Sequence, residues 1–415
     1  MSQSQDRLRL PPALMGLANM TYGLYGAMAL MTVPQRLAAA GVSQFTISSI
    51  TAAALIPTFA GFLVAPILDV RFARRTYTIV FGVLTALLAY ASLSQIDRLE
   101  WLAPLLILGF LCAALYYNAL GGWLGVVVPP GQEGRLAAGF TVGNVGGFGV
   151  GAILFILFLH HLPAGLSALA CALLILVPLI LLAFIPAPLA ERRGAKESFR
   201  TLARDLGALI RRPVVLRTLA LFCLPASSFA LTNTLGGLGA RFGASETFVA
   251  AMAGLGVTAA GIVGTLFVPA LVKRIEPLIL YLAIGTLGAC FTLSLIVLPR
   301  TPMVFAVALF GQNIFQAAAF AVETTIVFRS IGQDNPLAAT QFAFLQAATC
   351  LPIAYMQAVD GDAFDRGGLD LMLATDAGAS LAACSVIALV ALGWVWRRRA
   401  TRMSAMGPAV EGGAI

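Results

Sequence analysis

Residues 136–190 read LAAGFTVGNVGGFGVGAILFILFLHHLPAGLSALACALLILVPLILLAFIPAPLA and contain no Asp, Glu, Lys or Arg. A helix needs about 20 consecutive apolar residues to cross the hydrocarbon core of a bilayer, so this stretch is long enough for two crossings. The HHLP sequence at 160–163 divides it into two parts. The stretch therefore predicts two consecutive transmembrane helices joined by a short turn.

The rest of the chain repeats this pattern. Other long uncharged windows are 10–35, 37–68, 76–96, 101–132, 218–240, 247–272, 277–299, 301–322, 335–359 and 377–396. With 60% hydrophobic and 11% charged residues, the composition is far from that of a soluble domain. Helices satisfy their own backbone hydrogen bonds in lipid, and the short alternating segments of a membrane barrel do not occur in the sequence. We predict an all-α polytopic membrane protein with twelve transmembrane helices.

The basic residues set the expected orientation. With the N-terminus in the cytoplasm, 21 of the 26 lysines and arginines fall in cytoplasmic segments, as the positive-inside rule requires. We therefore expect a bacterial-type inner (plasma) membrane protein whose two termini are cytoplasmic. The net charge of +8 is interpreted as topology and contact with anionic lipid, not as binding of nucleic acid.

An internal repeat predicts two similar halves. AGVSQFTISSI at 40–50 aligns with FGASETFVAAM at 242–252, and FAGFLVAPILDVR at 59–71 aligns with IVGTLFVPALVKR at 262–274 with one added residue. Repeats of this kind enclose a central site and rock about it. The repeat thus predicts two pseudo-symmetric six-helix bundles.

One long polar segment, 188–213, separates these halves. Its leucines recur at helical spacing with arginines on the other face, which is typical of a short amphipathic helix at a membrane surface. The predicted organisation is an N-terminal bundle at 1–187, a cytoplasmic linker at 188–213, and a C-terminal bundle with a short tail at 214–415.

A loop after the second predicted helix carries a family resemblance. The chain reads APILDVRFARR over 65–75. This resembles the G-x-x-x-D-x-x-G-R-R/K signature of the major facilitator superfamily, in which Asp69 and Arg74 match, whereas both glycines and the first basic residue are replaced. The resemblance implies six plus six helices around a central cavity that opens alternately to each side.

The A-P-x-x-D form of this loop, together with ATQFA at 339–343, resembles one branch of that superfamily. The branch contains the AmpG-type muropeptide permeases and the RhtX/FptX-type siderophore permeases. It implies a proton-coupled secondary active transporter that moves a mid-sized polar organic solute across the inner membrane, with a siderophore importer favoured. An AmpG-type muropeptide permease and a drug or metabolite exporter stay open, as does a non-transporting membrane receptor.

Enzymatic and nucleotide-driven functions are disfavoured. The glycines at 139, 143, 147 and 151 follow no predicted strand and precede no Lys-Ser/Thr pair, so they predict a helix-packing ridge and not a phosphate-binding loop. The six scattered cysteines and two histidines suggest neither a disulfide framework nor a metal cluster. We expect no enzyme activity, no cofactor and no metal. The expected partners of this monomer are a small-molecule substrate, protons and the lipid bilayer.

Glu323 is the candidate proton-coupling residue. It is the only acid placed well inside a predicted span, and intramembrane acids usually face a cavity or a partner. The alternative is that its carboxylate reaches toward Arg329, six residues on, which is a rise of about 9 Å along a helix.

Polar side chains on predicted spans 1, 4, 7 and 10 are candidate substrate ligands, because these four spans line the cavity in the superfamily that the chain resembles. Gln312, Gln316 and Glu323 also share one helical stripe on span 10, although interhelical hydrogen bonding uses the same residue types. The candidates are Asn19, Tyr22, Tyr25, Tyr116, Tyr117, Asn118, Ser228, Thr232, Asn233, Gln312, Asn313 and Gln316. No Lys or Arg lies in a predicted span, so recognition of an anionic substrate by a buried cation is not expected.

The end of span 2 is a candidate conformational latch. Asp69 lies there among Arg71, Arg74 and Arg75, and the family resemblance implies an inter-bundle contact that favours the outward-open state. Positive-inside anchoring is the alternative, and it explains the arginines but not the aspartate.

The last candidate segment is an acidic outer loop. Asp360, Asp362, Asp365 and Asp370 lie in or beside GDAFDRGGLD. The D-x-D spacing recurs in calcium loops, but the rest of that pattern is missing. The segment is therefore predicted to be a solvated turn between spans 11 and 12.

Overall fold

The computed structural model describes residues 10–187, 204, 207–333 and 335–405, and over these residues the chain is helical with no strand. The amphipathic helix predicted for the linker lies largely outside this part of the chain. We number the membrane segments α1–α12 in chain order.

Six helical segments form the N-terminal half. Two of them are locally irregular: α1 changes pitch at the 3-10 turn Leu17–Asn19 and the π turn Met28–Thr32, and α2 ends in the 3-10 turns Gly61–Leu63 and Ala65–Asp69. The segments are α1 (12–39), α2 (Gln44–Ala60 and its 3-10 extension to 69), α3 (Arg74–Ser94), α4 (Leu99–Val127), α5 (Glu133–His161) and α6 (Ala164–Leu176, extended by Val177–Ala183).

The C-terminal half supplies six more. The last two follow each other within one long helical stretch, Ala338–Ala405, which Gly368 interrupts with φ 70° and ψ −161°. The segments are α7 (Pro213–Phe222, then Leu231–Leu235 and Gly236–Phe242), α8 (246–271), α9 (Pro277–Val297), α10 (Pro302–Ile331), α11 (338–367) and α12 (369–405).

The predicted fold, an all-α protein with twelve membrane helices, is confirmed. Among the described residues nine helices are by themselves long and apolar enough to cross a membrane, with Ala338–Gly393 counted as one. The break at Gly368 makes that helix two, and the interrupted segments α1 and α7 complete the twelve.

The start of α2 and the start of α8 have the same local geometry. Gly41 and Gly243 precede them with φ of 78° and 66°, the left-handed region that glycine adopts without strain. Ser43 and Ser245 then cap the helices, and each hydroxyl accepts the backbone N–H three residues on at 3.3 Å. The internal repeat found in the sequence is therefore a repeat of backbone conformation.

The glycine ridge of α5 packs against α1. A Cβ at Gly143 would lie 3.0 Å from the carbonyl oxygen of Gly16, and one at Gly147 would lie 2.6 Å from that of Met20. Such distances leave no room for a side chain, so the two backbones approach closely, as small-residue ridges allow. The predicted packing role of these glycines is confirmed.

Among the described residues, the two halves share a buried core at one end of the molecule and not at the other. We call this the basic end, because the loops and helix ends that reach it carry Arg71, Arg135, Lys273 and Arg274. There, Trp123 and Phe140 of the N-terminal half lie in one cluster with Phe328 and Phe342 of the C-terminal half. At the opposite end each half has its own core, one around Phe110 and the other around Phe305. The molecule is thus closed at its basic end.

The solvated turn predicted before the last span is partly wrong. Asp362, Asp365 and Asp370 are exposed, but Asp360 is 0% exposed. The reason is that α11 continues about two turns beyond its predicted end, so Asp360 lies inside the helix bundle. Asp376, in α12, is also buried at 3% exposed, and Glu323 is therefore not the only acid within a span.

Candidate functional site

A cavity of about 190 Å³ lies between the two halves, next to their shared core. Segments α1, α2, α4 and α5 line it from one half, and α10 and α11 line it from the other. The lining residues that have polar side chains are Asn19, Tyr22, Thr58, Tyr117, Asn118, Thr141, Asn144, Glu323, Thr324, Gln346, Thr349 and Cys350. A polar cavity at the interface of two repeats is where transporters hold their substrates.

Within the described part of the chain, Glu323 brings the only carboxyl group to this lining. The residue is 4% exposed, and Tyr117 and Cys350 line the same cavity. A carboxylate that faces a cavity inside a membrane bundle is costly to keep charged, and such residues usually serve ion or proton pathways.

The alternative role, an ion pair of Glu323 with Arg329, does not occur in this structure. Arg329 Nε lies 3.9 Å from the carboxylate of Glu133 instead. Glu133 also accepts the N–H of Gly131 at 3.1 Å. Among the described residues no cation forms a salt bridge with Glu323.

An aromatic wall stands beside Glu323. The rings of Tyr22 and Tyr117 are 4.9 Å apart between centroids, and the Tyr117 ring lies 5.1 Å from that of Phe140. Gln346 of α11 donates from Nε2 to the Tyr117 hydroxyl. The wall thus joins both halves of the molecule through one side-chain hydrogen bond.

Two lining side chains have buried polar atoms without a hydrogen-bond partner among the described residues. Asn19 donates from Nδ2 to the carbonyl of Phe140 at 3.0 Å, but its Oδ1 is unpaired. The Thr58 hydroxyl is also unpaired. Buried polar atoms are nearly always hydrogen-bonded in native proteins, so these two acceptors are available to a ligand or to water in the cavity.

Five of the side chains predicted at the site, Asn19, Tyr22, Tyr117, Asn118 and Glu323, line the cavity. Tyr25 and Tyr116 do not. Both are 0% exposed, and their hydroxyls donate to backbone carbonyls of Leu106 (3.2 Å) and Ala18 (2.5 Å). They hold α1 against α4.

The remaining candidates lie elsewhere in the C-terminal half. Gln312 donates to Thr292 Oγ1 at 2.5 Å, and Gln316 donates to Thr232 Oγ1 at 2.7 Å. These bonds tie α10 to α9 and to α7, which is the interhelical use of such amides. Of the others, Asn313 donates to the carbonyl of Leu309 at 2.8 Å, the Ser228 hydroxyl is buried without a partner in the described part of the chain, and Asn233 is exposed.

Thr58, Asn144 and Gln346 were missed by the sequence reasoning. Asn144 lies within the glycine ridge of α5, which was interpreted as a packing surface and not searched for ligands. Gln346 belongs to α11, and only spans 1, 4, 7 and 10 were searched for cavity residues. A search for every amide inside an uncharged window would have found both residues.

Asp69 connects the two halves at the basic end. Its carboxylate accepts from Arg74 Nε at 2.7 Å, from the N–H and hydroxyl of Thr340 at 2.8 and 2.7 Å, and from the N–H of Ala339 at 3.2 Å. The two backbone donors belong to the first turn of α11, where N–H groups lack helical partners and attract anions.

The guanidinium of Arg74 extends the same network. Its Nη2 donates to the carbonyls of Asn335 (3.1 Å) and Pro336 (2.8 Å), just before α11. Arg71 lies outside this contact, since it is exposed and its guanidinium sits 4.9 Å above the Phe72 ring. Arg75 is half-buried. Asp69 and Arg74 are thus the pair whose hydrogen bonds span the interface.

Two six-helix halves around a polar cavity, closed at one end by a hydrogen-bonded contact between the halves, define a membrane transporter. Residues 15–357 match the family model described as Major Facilitator Superfamily, and the chain belongs to that family. No curated protein matches the sequence.

Solved structures share the fold at low identity. The E. coli fucose:proton symporter FucP superposes with a TM-score of 0.69 at 17% identity, covering 92% of this chain and 99% of that one. The proton:xylose symporter XylE gives 0.65 at 13% identity over 92% and 95% of the two chains. The human organic anion transporter MFSD10 gives 0.65 at 15% identity over 92% and 99%.

Proposed function

We propose that the protein is a proton-coupled secondary active transporter that moves a compact polar organic solute by alternating access. The observation that carries this proposal is the cavity between the halves, which holds Glu323 and lies next to an interface that must open for release. The closed basic end would face the cytoplasm, so the structure would represent a state that receives substrate from outside.

Glu323 would carry the coupled proton. Its carboxyl lies in the cavity wall, and Gln346 and Tyr117 connect that wall across the two halves. Protonation would remove a charge from the interface before the halves rearrange. An acid without a counter-ion suits this task better than one held in an ion pair.

The cavity favours a small solute. Its volume of about 190 Å³ is below the 300–1,000 Å³ typical of drug-sized ligands. Amides, hydroxyls and aromatic rings line it, and no cation of the described residues does. These features support a neutral, hydroxyl-rich solute of monosaccharide size, and they give no support to the siderophore or muropeptide implied by the branch resemblance.

Proton flux in proteoliposomes tests this function. With a pH-sensitive dye inside the vesicles, a transported solute should acidify the lumen when it is added outside. The panel would contain monosaccharides including fucose and xylose, an iron-loaded hydroxamate siderophore and a muropeptide, and protein-free vesicles give the background. Acidification by the siderophore alone would overturn the small-solute proposal. Solute uptake without any proton movement would remove the coupling.

The orientation predicted from the basic residues is tested by labelling in intact cells. We expect an impermeant thiol reagent to modify a cysteine introduced at Asp97, which is exposed at the opposite end, and not one at Gln333, which is exposed at the basic end. Both sites should react after the membrane is permeabilised. Labelling of the Gln333 site alone in intact cells would mean that the basic end faces outward.

Adjacent tyrosines offer a matched test of the cavity. Tyr117→Phe removes a hydroxyl that lines it, and a lost hydrogen bond of about 0.5–1.5 kcal/mol should weaken substrate affinity about two- to tenfold. Tyr116→Phe should leave affinity unchanged but lower thermal stability, because the buried carbonyl of Ala18 loses the hydrogen bond from the tyrosine hydroxyl. Equal losses of affinity in both variants would mean that the cavity is not the binding site.

A further inference from the structure

Two buried aspartates lie on opposite sides of the turn between α11 and α12. Asp360 in α11 is 0% exposed and Asp376 in α12 is 3% exposed. Each lies eight residues from the break at Gly368, so on antiparallel helices they are level with each other, about 12 Å from the turn.

Neither aspartate has a hydrogen-bond partner in the part of the chain that the structure describes. Both oxygens of Asp360 and Oδ1 of Asp376 are buried without a hydrogen bond. This differs from Asp69, whose carboxylate accepts four hydrogen bonds. The cost of burying an acid is therefore not offset here by the surrounding protein.

The cations nearest along the packed elements are engaged elsewhere. Arg241 of α7 lies over the ring of Phe364 at 5.8 Å. Arg300, between α9 and α10, pairs with Asp370, and Arg366 pairs with Asp362 at 2.8 Å. The other titratable groups on this part of α7, α9, α10 and the hairpin are Cys290 and Asp365, both exposed. No described cation neutralises the two buried carboxyls.

We propose that Asp360 and Asp376 form a second protonation site, in which the two carboxyls together hold at least one proton in this conformation. Two ionised carboxylates buried at the same level of the hairpin would each lose hydration and would repel each other, and a bound proton relieves both effects. A metal cation fits less well, because hard cations take six or more oxygen ligands and only three unpartnered carboxylate oxygens of the described residues are buried here. The site is separate from Glu323 and does not depend on the transported solute.

Infrared spectroscopy of the wild-type protein tests the proton directly. Protein grown with carbon-13-labelled aspartate and reconstituted in liposomes should show, at neutral pH, the carbonyl absorption of a protonated aspartyl group, shifted by the label. The label separates this signal from any due to Glu323. Absence of a shifted band would overturn the proposal, as would its loss when sodium replaces choline in the buffer, which would indicate a metal cation.

The pH dependence of unfolding gives the second test. A folded state that holds one proton more than the unfolded chain becomes less stable as pH rises, by about tenfold in the unfolding equilibrium constant per pH unit. Asp360→Asn and Asp376→Asn resemble the neutral acid in shape and should flatten this slope, so that the variants lose less stability than wild type at alkaline pH. Asp365→Asn, an exposed acid in the same hairpin, should keep the wild-type slope.

These two measurements cover the case in which a variant does not fold. The infrared experiment needs no substitution, and its result stands alone. If Asp360→Asn and Asp376→Asn fold and keep the wild-type slope, the pair holds no proton that the unfolded chain lacks. Loss of transport in Glu323→Gln with the aspartyl band intact would show that the two sites are independent.

Discussion

Glu323→Gln is expected to abolish the accumulation of substrate against its gradient and to leave exchange of substrate across the membrane within a few fold of wild type. Glutamine keeps the size of the side chain and its ability to accept hydrogen bonds, but it cannot gain or lose a proton. A transporter that loses its coupled proton can still equilibrate solute, since binding and rearrangement remain. The measurement compares uptake driven by an imposed pH gradient with counterflow in the same proteoliposomes.

Glu133→Gln is the matched control for this prediction. Glu133 is also a largely buried acid near α10, but it pairs with Arg329 and does not line the cavity. Its substitution should preserve gradient-driven accumulation even if the rate changes. Wild-type accumulation by Glu323→Gln, with the same pH dependence, would transfer coupling to another acid. Asp69 and the pair Asp360–Asp376 are then the acids to test.

A purely structural role for Glu323 predicts a different result. In that case Glu323→Gln should be tolerated in every assay, and Glu323→Ala should lower expression and thermal stability. The proton-carrier role predicts that both variants fold and that both lose accumulation. Thermal unfolding of the purified variants, measured beside uptake, distinguishes the two cases.

The membrane fold followed from the sequence because the bilayer imposes a simple rule. Every buried backbone group must be satisfied within its own helix, so an uncharged window of membrane length has few alternatives. The repeat could also be recognised in the sequence, since Gly41 and Gly243 each form a left-handed turn before a serine that caps the next helix. Both features depend only on residues close together in the sequence, so they can be recognised without knowing how the helices pack.

The cavity was predicted less completely, because it depends on helix rotation and on contacts between helices. Consecutive residues differ by about 100° around a helix, which places Tyr117 in the cavity and Tyr116 against α1. The stripe on α10 was identified, but Gln312 and Gln316 turn to other helices of their own half. No pattern in one helix shows which neighbour will face it.

The error at Asp360 has a related cause. Charged residues were used to mark the ends of spans, and that rule fails when a helix carries an acid inward. Asp360 was assigned to the turn because it is acidic, and Asp376 was left just outside the last uncharged window, although the structure buries both. The same rule that identified the eleven uncharged windows therefore placed these two buried aspartates outside the predicted spans.

Asp69→Asn is expected to shift the conformational equilibrium away from the basic-end-closed state by at least about 100-fold. The carboxylate is buried and accepts four hydrogen bonds, three of them from the first turn of α11. A hydrogen bond to a charged group contributes about 1.5–3 kcal/mol, so weakening these three bonds from α11 costs at least about 3 kcal/mol, and each step of about 1.4 kcal/mol is a factor of ten in an equilibrium constant. Because the contact joins the two halves, this cost falls on the closed state and not on the state in which they separate.

Spin labels at Thr76 and Gln333 would measure the shift, since both positions are exposed at the basic end and lie on different halves. In wild type the short distance should dominate, and in Asp69→Asn the longer one. Thr340→Val removes a single hydrogen bond to the carboxylate and should give a smaller shift in the same direction.

Arg71→Gln is the control within the same loop, because Arg71 is exposed and lies over Phe72. If the arginines act only through the membrane potential and lipid charge, Arg71→Gln and Arg74→Gln should have equal effects. If the interface contact matters, Arg74→Gln should resemble Asp69→Asn, and Arg71→Gln should resemble wild type. An unchanged distance distribution in Asp69→Asn would mean that the apolar cluster around Phe342 keeps the basic end closed without the hydrogen bonds to the Asp69 carboxylate.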